Sequence, residues 1–152
     1  MKLTRATAAE CEAMATVHAQ AFDGKAWRAH EFEDLLDGEG IYGFLADDTE
    51  PLGVILCRVA ADEVEVLTVG VAPAARRRGV ALALVSAGLD VANAAGAAQA
   101  FLEVAVDNDP AIALYDRLGF RKTGLRKSYY DRGSEGFTDA LVMRLDLNAA
   151  AA

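Results

Sequence analysis

Two stretches of the chain carry residue types whose spacing could do chemistry. Residues 76–84 read RRRGVALAL, three arginines and a glycine entering an alanine- and leucine-rich run that continues to Asn93. Such a run has three readings. One is a solvated positive face at a helix start, a placement that the positive end of the helix dipole opposes. Another is a nucleic-acid patch, which an acidic chain without neighbouring aromatics argues against. The third is anion capture: free N–H groups at a helix N-terminus, with Gly79 permitting close approach, cradle a phosphate while the arginines offset its charge. Anion capture best explains cations set where the dipole alone would repel them. A nucleotide-hydrolysing Walker loop is a poor match, because it needs Lys followed by Ser or Thr after its second glycine, whereas Val80-Ala81-Leu82 follows Gly79.

The second stretch is FLEVAVDNDPAIALYDRLGF, residues 101–120. Strand alternation puts Phe101, Glu103 and Ala105 on one face and Leu102, Val104 and Val106 on the other. A carboxylate among such neighbours is costly to bury without a partner or a job. It is an exposed sheet-edge group, one arm of an ion pair, or a proton acceptor. Tyr115, at helical spacing from Ala111 and Leu118, reads as a core tyrosine whose hydroxyl finds a partner. Asn108 reads as a turn residue before a helix cap.

These residues need elements to hold them. KLTRA alternates as a short strand, and Thr7 with Glu10 makes a capping box for a helix whose stripe is Cys11, Met14, Val17 (or His18) and Ala21. A polar break, DGKA, precedes a second short helix around WRAHEFEDLL, ended by Gly38 and Gly40. IYGFLA and PLGVILCRV form a hairpin about the DDTE turn, and EVEVLTVGV is an alternating strand. A helix then starts at the arginine run and stops near Gly96. AQAFLEVAV is a strand, Asp109 caps a helix with Pro110 at its first position, and FRKTGLRKSYY and FTDALVMRLDL close the chain as strands. The expectation is one mixed α/β domain over residues 1–147, with about six or seven strands and about four helices, and a low-complexity tail over 148–152.

Composition narrows the partners. The chain has 152 residues, 53% of them hydrophobic, and a formal net charge of −8. That length supports a core without staples. The charge argues against nucleic acid and suits a basic partner, though solubility accounts for it equally well. Cys11 and Cys57 show neither metal spacing nor a disulfide framework, so a reducing cytoplasm and no metal are expected. The N-terminus lacks an apolar signal core and no run is long enough to span a bilayer, so no membrane association is expected.

Taken with its flanking strand and helix, Arg76-Arg77-Arg78-Gly79-Val80-Ala81 resembles the coenzyme A motif of the GNAT acetyltransferase superfamily, Q/R-x-x-G-x-G/A, with Ala81 in the last position. The resemblance implies a mostly antiparallel GNAT sheet. It implies that backbone amides of Arg77 through Leu82 hold the pyrophosphate of acetyl-CoA, and that the pantetheine arm pairs with Val69, Gly70 and Val71. Gly70 within a strand also fits a bulge or a close backbone approach.

From Glu63 to Leu145 the chain is similar to the RimI-type N-acetyltransferases, which acetylate an N-terminal alanine of a small-subunit ribosomal protein. The matching segments are the strand ending in Glu103, Asn108, Ala113-Leu114-Tyr115, Leu118-Gly119-Phe120, Arg126-Lys127-Ser128-Tyr129-Tyr130 and Asp139-Ala140. The N-terminal half, with Ala21-Phe22, Trp27 and Phe32, matches more loosely, and Ala26 stands where the family usually has proline.

The resemblance implies direct attack of the amine on the thioester in a ternary complex. Glu103 is then the general base, often through water, and Tyr115 the acid toward the departing thiolate. Asn108 would bind pantetheine or order that water. The acceptor peptide would lie near Trp27, Tyr129 and Tyr130, although alternation sends only one of the two tyrosines toward it. An α-amine of pKa about 8 loses its proton at neutral pH for roughly 1.4 kcal/mol, against about 4.6 for lysine, so a carboxylate base suits an N-terminal amine. The expected partners are acetyl-CoA and a basic ribosomal N-terminal peptide, the expected state a monomer or weak dimer. Competing expectations are acetylation of a small amine or a lysine, and a coenzyme sensor without turnover.

Overall fold

A computed structural model describes residues 1–22 and 26–147. Asp23–Lys25, most of the expected polar break, and the alanine tail at 148–152 lie outside the described residues. Lys2–Arg5 forms β1. The capping box follows as expected: Thr7 N–H donates to Glu10 Oε1 at 2.7 Å, and Ala9 N–H donates to Thr7 Oγ1 at 3.3 Å. The first turn, Ala8–Glu10, is a 3-10 turn that runs into α1 (Cys11–Ala21). Cys11, Met14, Val17 and His18 are its buried face, so both candidates for the third stripe position are interior. α2 spans Ala29–Leu36, which leaves Trp27 and Arg28 ahead of the helix rather than inside it.

The remaining elements are β2 (Ile41–Asp47), β3 (Pro51–Ala60), β4 (Glu63–Val71), α3 (Val80–Ala94), β5 (Gln99–Ala105), α4 (Asp109–Arg117), β6 (Arg121–Asp131) and β7 (Phe137–Asp146). The seven strands make one sheet in the order β1-β2-β3-β4-β5-β7-β6. Every pairing is antiparallel except β4 with β5, which the α3 crossover joins in parallel. Among the described residues this is the mixed sheet with four helices that the sequence predicts, mostly antiparallel as the resemblance implies.

Helices cover both faces of the central strands, which is why Leu52–Cys57 is buried without alternation. A Cβ on Gly53 would meet Leu84 and Val80 of α3, whereas one on Gly70 would meet Phe22 and Ala21 at the end of α1. Tyr42 on β2 donates its hydroxyl to the Gly88 carbonyl of α3 at 2.6 Å, which satisfies a buried phenol. Gly40, before β2, has φ +76°, and a Cβ there would lie 2.1 Å from the Val59 carbonyl oxygen. The Gly40→Ala variant is therefore expected to lose about 2–4 kcal/mol of stability, read from urea unfolding, because backbone cannot yield as a side chain can.

Two boundaries differ from the sequence reading. α3 begins at Val80, so the arginines occupy the loop before the helix and not its first turn. α4 is capped by Asn108, whose Oδ1 accepts the Ala111 N–H at 3.3 Å; Asp109 and Pro110 are already helical. Local pattern did not separate two adjacent cap formers, and the side-chain geometry of Asn108 did.

Candidate active site

β4 and β5 pair only over Glu63–Glu65 with Gln99–Phe101. A bulge in β4 at Leu67, which the β3 register skips between Val66 and Thr68, turns the strand where this pairing ends. Past that point the strands separate. The backbone edge of Val69–Val71 faces a cleft of about 1620 Å³ rather than a neighbouring strand. Val69, Gly70 and Val71 all line it. The glycine has another reason, however. The bulge lies at Leu67, and the close approach to Gly70 is by the side chains of Phe22 and Ala21, at 2.8 and 3.0 Å from a built Cβ.

The arginine loop reaches the cleft through Arg76, and the following helix through Ala81. Arg77 (φ +65°) and Gly79 (φ +76°) are both left-handed, a conformation that turns successive N–H groups to one side. The first helical amide bond of the following turn runs from Ala83 to Gly79 at 3.0 Å. Among the described residues, no protein acceptor is recorded for the amides of Arg77 through Leu82. A row of free donors fits the oxygens of a phosphate chain. The three arginines do not act alike. Arg76 and Ala81 line the cleft, but Arg78 pairs with Asp48 of the β2–β3 turn at 3.2 Å. Val80 is core, and the Leu82 side chain is exposed.

Glu103 lines the cleft from β5, with only 20% of its side chain exposed. Its Oε1 meets Arg126 Nε at 3.0 Å, so the ion-pair reading of this carboxylate is realised in the structure. Tyr129 also hydrogen-bonds it, and this bond is the main reason that the Tyr129 phenol is raised above its usual range. Tyr130 donates to the Glu103 backbone carbonyl at 3.2 Å, and burial pushes its phenol up to about 12. Tyr115 comes from α4, buried at 5% exposure with its ring edge-on to Phe120, yet it lines the same cleft. Burial raises its phenol too, with Tyr130 adding to the shift. Asn108 lines the cleft while its Oδ1 caps α4.

One expectation is overturned. Tyr129 and Tyr130 do not point to opposite faces: both line the cleft, their rings edge-to-face at 5.0 Å. The β6 register breaks between Arg126 and Tyr130, Ser128 adopts φ +53°, and its N–H donates to Asp139 Oδ1 at 2.8 Å. A bulge shifts the period-2 alternation on which the expectation rested.

Sequence reasoning missed two participants, His18 and Arg132. His18, 3% exposed, lines the cleft and bonds Thr68 of β4 and the backbone of Trp27. Its only sequence signal was its place on the apolar stripe of α1. Trp27, named from sequence, is half-buried, stacked on His18 at 5.1 Å and edge-on to Phe32 at 5.4 Å, and it lines the cleft. Arg132 forms a two-pronged pair with Asp107, at 2.7 and 2.8 Å, that joins the β6–β7 tip to the β5–α4 loop. Cys11 and Cys57 are free and buried. Among the described residues no cluster of three or more His, Cys, Asp or Glu could hold a metal, and no helix is long and apolar enough to cross a membrane.

A model of the acetyltransferase (GNAT) family matches residues 8–120. The ribosomal protein bS18-alanine N-acetyltransferase of Escherichia coli is 29% identical over 131 residues, 86% of this chain and 84% of that one. The crystal structure of the Escherichia coli ribosomal-protein-S18-alanine N-acetyltransferase superposes with a TM-score of 0.86 at 26% identity, covering 96% of this chain and 93% of that one. An uncharacterized protein of Mycobacterium leprae is 37% identical over 144 residues, 91% of this chain; the chain spans 38% of that protein's length. The fold is shared with Arabidopsis thaliana NAA60 in complex with acetyl-CoA, at TM-score 0.81 and 20% identity, covering 97% of this chain and 98% of that one.

Proposed function

The chain belongs to the acetyltransferase (GNAT) family and is an acetyl-transferring enzyme, and we propose that it moves the acetyl group of acetyl-CoA to the N-terminal α-amine of a protein. A ribosomal N-terminus beginning with alanine is the acceptor that the Escherichia coli relative favours. One observation carries the reading: Glu103 and Tyr115 reach a single cleft from different elements, and the unpaired edge of β4 borders that same cleft together with Arg76 of the arginine loop and Ala81 of α3.

Acetyl-CoA, when bound, supplies an activated thioester. The amides of Arg77 through Leu82 hold its phosphates, and the β4 edge at Val69–Val71 orients its arm. Glu103 accepts a proton from the α-ammonium, directly or through water, the free amine attacks the carbonyl carbon as the C–S bond breaks, and the second proton that the nitrogen sheds passes to water or to the departing thiolate. Tyr115 donates a hydrogen bond to the sulfur as negative charge develops. A free thiol near pKa 8.5 is already a stronger acid than an ordinary tyrosine near 10, and burial weakens Tyr115 further as an acid. Stabilising the anion, rather than protonating it fully, is the role that these values favour. The Tyr115→Phe variant is expected to lower kcat about 10- to 100-fold while the acetyl-CoA Kd stays within about twofold. Steady-state rates and a binding titration on the same preparation check both halves.

Tyr129, Tyr130 and Trp27, which all line the cleft, frame the peptide. The test measures CoA release with two short basic peptides beginning with alanine, one with a free α-amine and one blocked there. Turnover with only the free peptide is expected. Equal turnover of the blocked peptide would move the reading to a lysine acceptor, and binding of acetyl-CoA without turnover of either would move it to a small-amine enzyme or a sensor.

A further inference from the structure

We propose that His18 is a positioning residue for the acceptor side of the cleft, one imidazole that fixes the backbone of Trp27 against Thr68 of β4. The inference rests on the acetyltransferase reading for its kinetic consequence but not for its geometry. Trp27 N–H can only donate, and it points to His18 Nδ1 at 3.0 Å, so Nδ1 carries no proton. In the neutral ring the single N–H is then on Nε2, which donates to Thr68 Oγ1 at 3.0 Å. Both nitrogens are committed, which excludes His18 as a base for the incoming amine. The imidazole also sits in an aromatic box, with Phe22 at 4.5 Å, Trp27 nearly parallel at 5.1 Å, and Phe32 edge-on at 5.4 Å. Burial, opposed weakly by the charge of Glu31, keeps this ring neutral.

Trp27 has no regular element of its own. It lies between α1 and α2, and the His18 contact ties its backbone N–H. Thr68 stands next to the Val69–Val71 edge. The ring therefore sets the distance between the aromatic wall and the strand that borders the cleft. Glu103 and Tyr115 belong to β5 and α4, and loss of the tie leaves them in place. The expected defect is in acceptor binding, not in the chemical step.

Asn and Gln separate the two bonds. His18→Asn presents an amide oxygen near the position of Nδ1 and keeps the Trp27 acceptor. His18→Gln presents an amide N–H near Nε2, keeps the Thr68 bond and loses Trp27. For His18→Gln, peptide KM is expected to rise about tenfold with kcat within about threefold, the loss of one buried hydrogen bond. For His18→Asn, KM is expected to stay within about threefold. Trp27 is the single tryptophan of the chain, so its fluorescence reports the tie without any catalysis. A red-shifted, more quenchable emission is expected in His18→Gln and a smaller shift in His18→Asn, which keeps the Trp27 acceptor and loses the Thr68 bond.

If His18→Gln does not fold, Thr68→Val removes the Nε2 acceptor alone, and a smaller change in the same direction is expected in both readouts. Equal behaviour of the two His18 variants, a kcat defect with unchanged KM, or unaltered emission in folded His18→Gln or Thr68→Val would overturn the inference. A fluorescence difference in protein that turns over no peptide would support the tie while refuting the acetyl-transfer reading.

Discussion

Replacing Glu103 by glutamine is expected to lower kcat for a free-amine peptide about 10²- to 10⁴-fold at neutral pH, the usual effect of removing a positioned proton acceptor. Glutamine keeps the shape of the side chain, and β5 holds its register through backbone pairing of Glu103 with Val142, so the cleft should persist. What disappears is the anion. The variant leaves Arg126, which is 58% exposed, without its 3.0 Å partner, but that guanidinium can turn to water. The pH dependence distinguishes a base from a merely structural carboxylate. An α-amine near pKa 8 deprotonates unaided as pH rises, so the wild-type to variant ratio should shrink between pH 7 and about pH 9.5. A rate profile of both proteins over that range decides it. A ratio near one at neutral pH would remove Glu103 from the mechanism, and a large ratio that did not change with pH would assign it to binding or structure.

Acidification is expected to destabilise the protein through His18. Its ring has an ordinary pKa of 6.5 in the unfolded chain and about 4 in the folded one, where burial is the main cause and Glu31 of α2 opposes it. The other groups packed on the ring, Phe22, Trp27, Phe32 and Thr68, carry no charge. Above pH 6.5 both states leave the ring neutral and the full stability is present. As pH falls from 6.5 toward 4, the unfolded state binds a proton that the folded state refuses, and stability declines by about 1.4 kcal/mol per unit, about 3 kcal/mol in all. Carboxylates titrate near the lower end of this window, so the decisive quantity is a difference. Urea unfolding of wild type and His18→Asn from pH 7.5 to 4.5 should show a steeper decline for wild type. Parallel declines would mean that His18 is protonated as readily in the folded protein as in the unfolded chain.

Much of the architecture was readable from local pattern, and the particular elements show why. The Thr7–Glu10 box, the β2–β3 hairpin and the alternation that separates Glu103 from Leu102 and Val104 each depend on residues close in the chain. The unbonded amides after Arg76 were readable too, because helix starts leave amides unbonded whatever surrounds them. The conformation and pairing of the arginine loop were not. The left-handed Arg77 has no glycine to announce it, and Arg78 is drawn to Asp48, 30 positions earlier in the chain.

The site divides along the same line. Sequence alone named Glu103, Asn108, Tyr115 and the arginine loop as residues worth examining, by residue type, spacing and resemblance. It also predicted a mixed sheet with helices between strands, since hydrophobic period and cap chemistry are properties of short segments. The opening between β4 and β5, the Glu103–Arg126 pair, the bulge that turns Tyr129 and Tyr130 into one cleft, and the tie from His18 to Thr68 were decided only in three dimensions. Each joins groups from separate elements, and the last spans 50 positions. A segment's own pattern records which of its faces is apolar, but not which distant polar group will meet it when that face is buried.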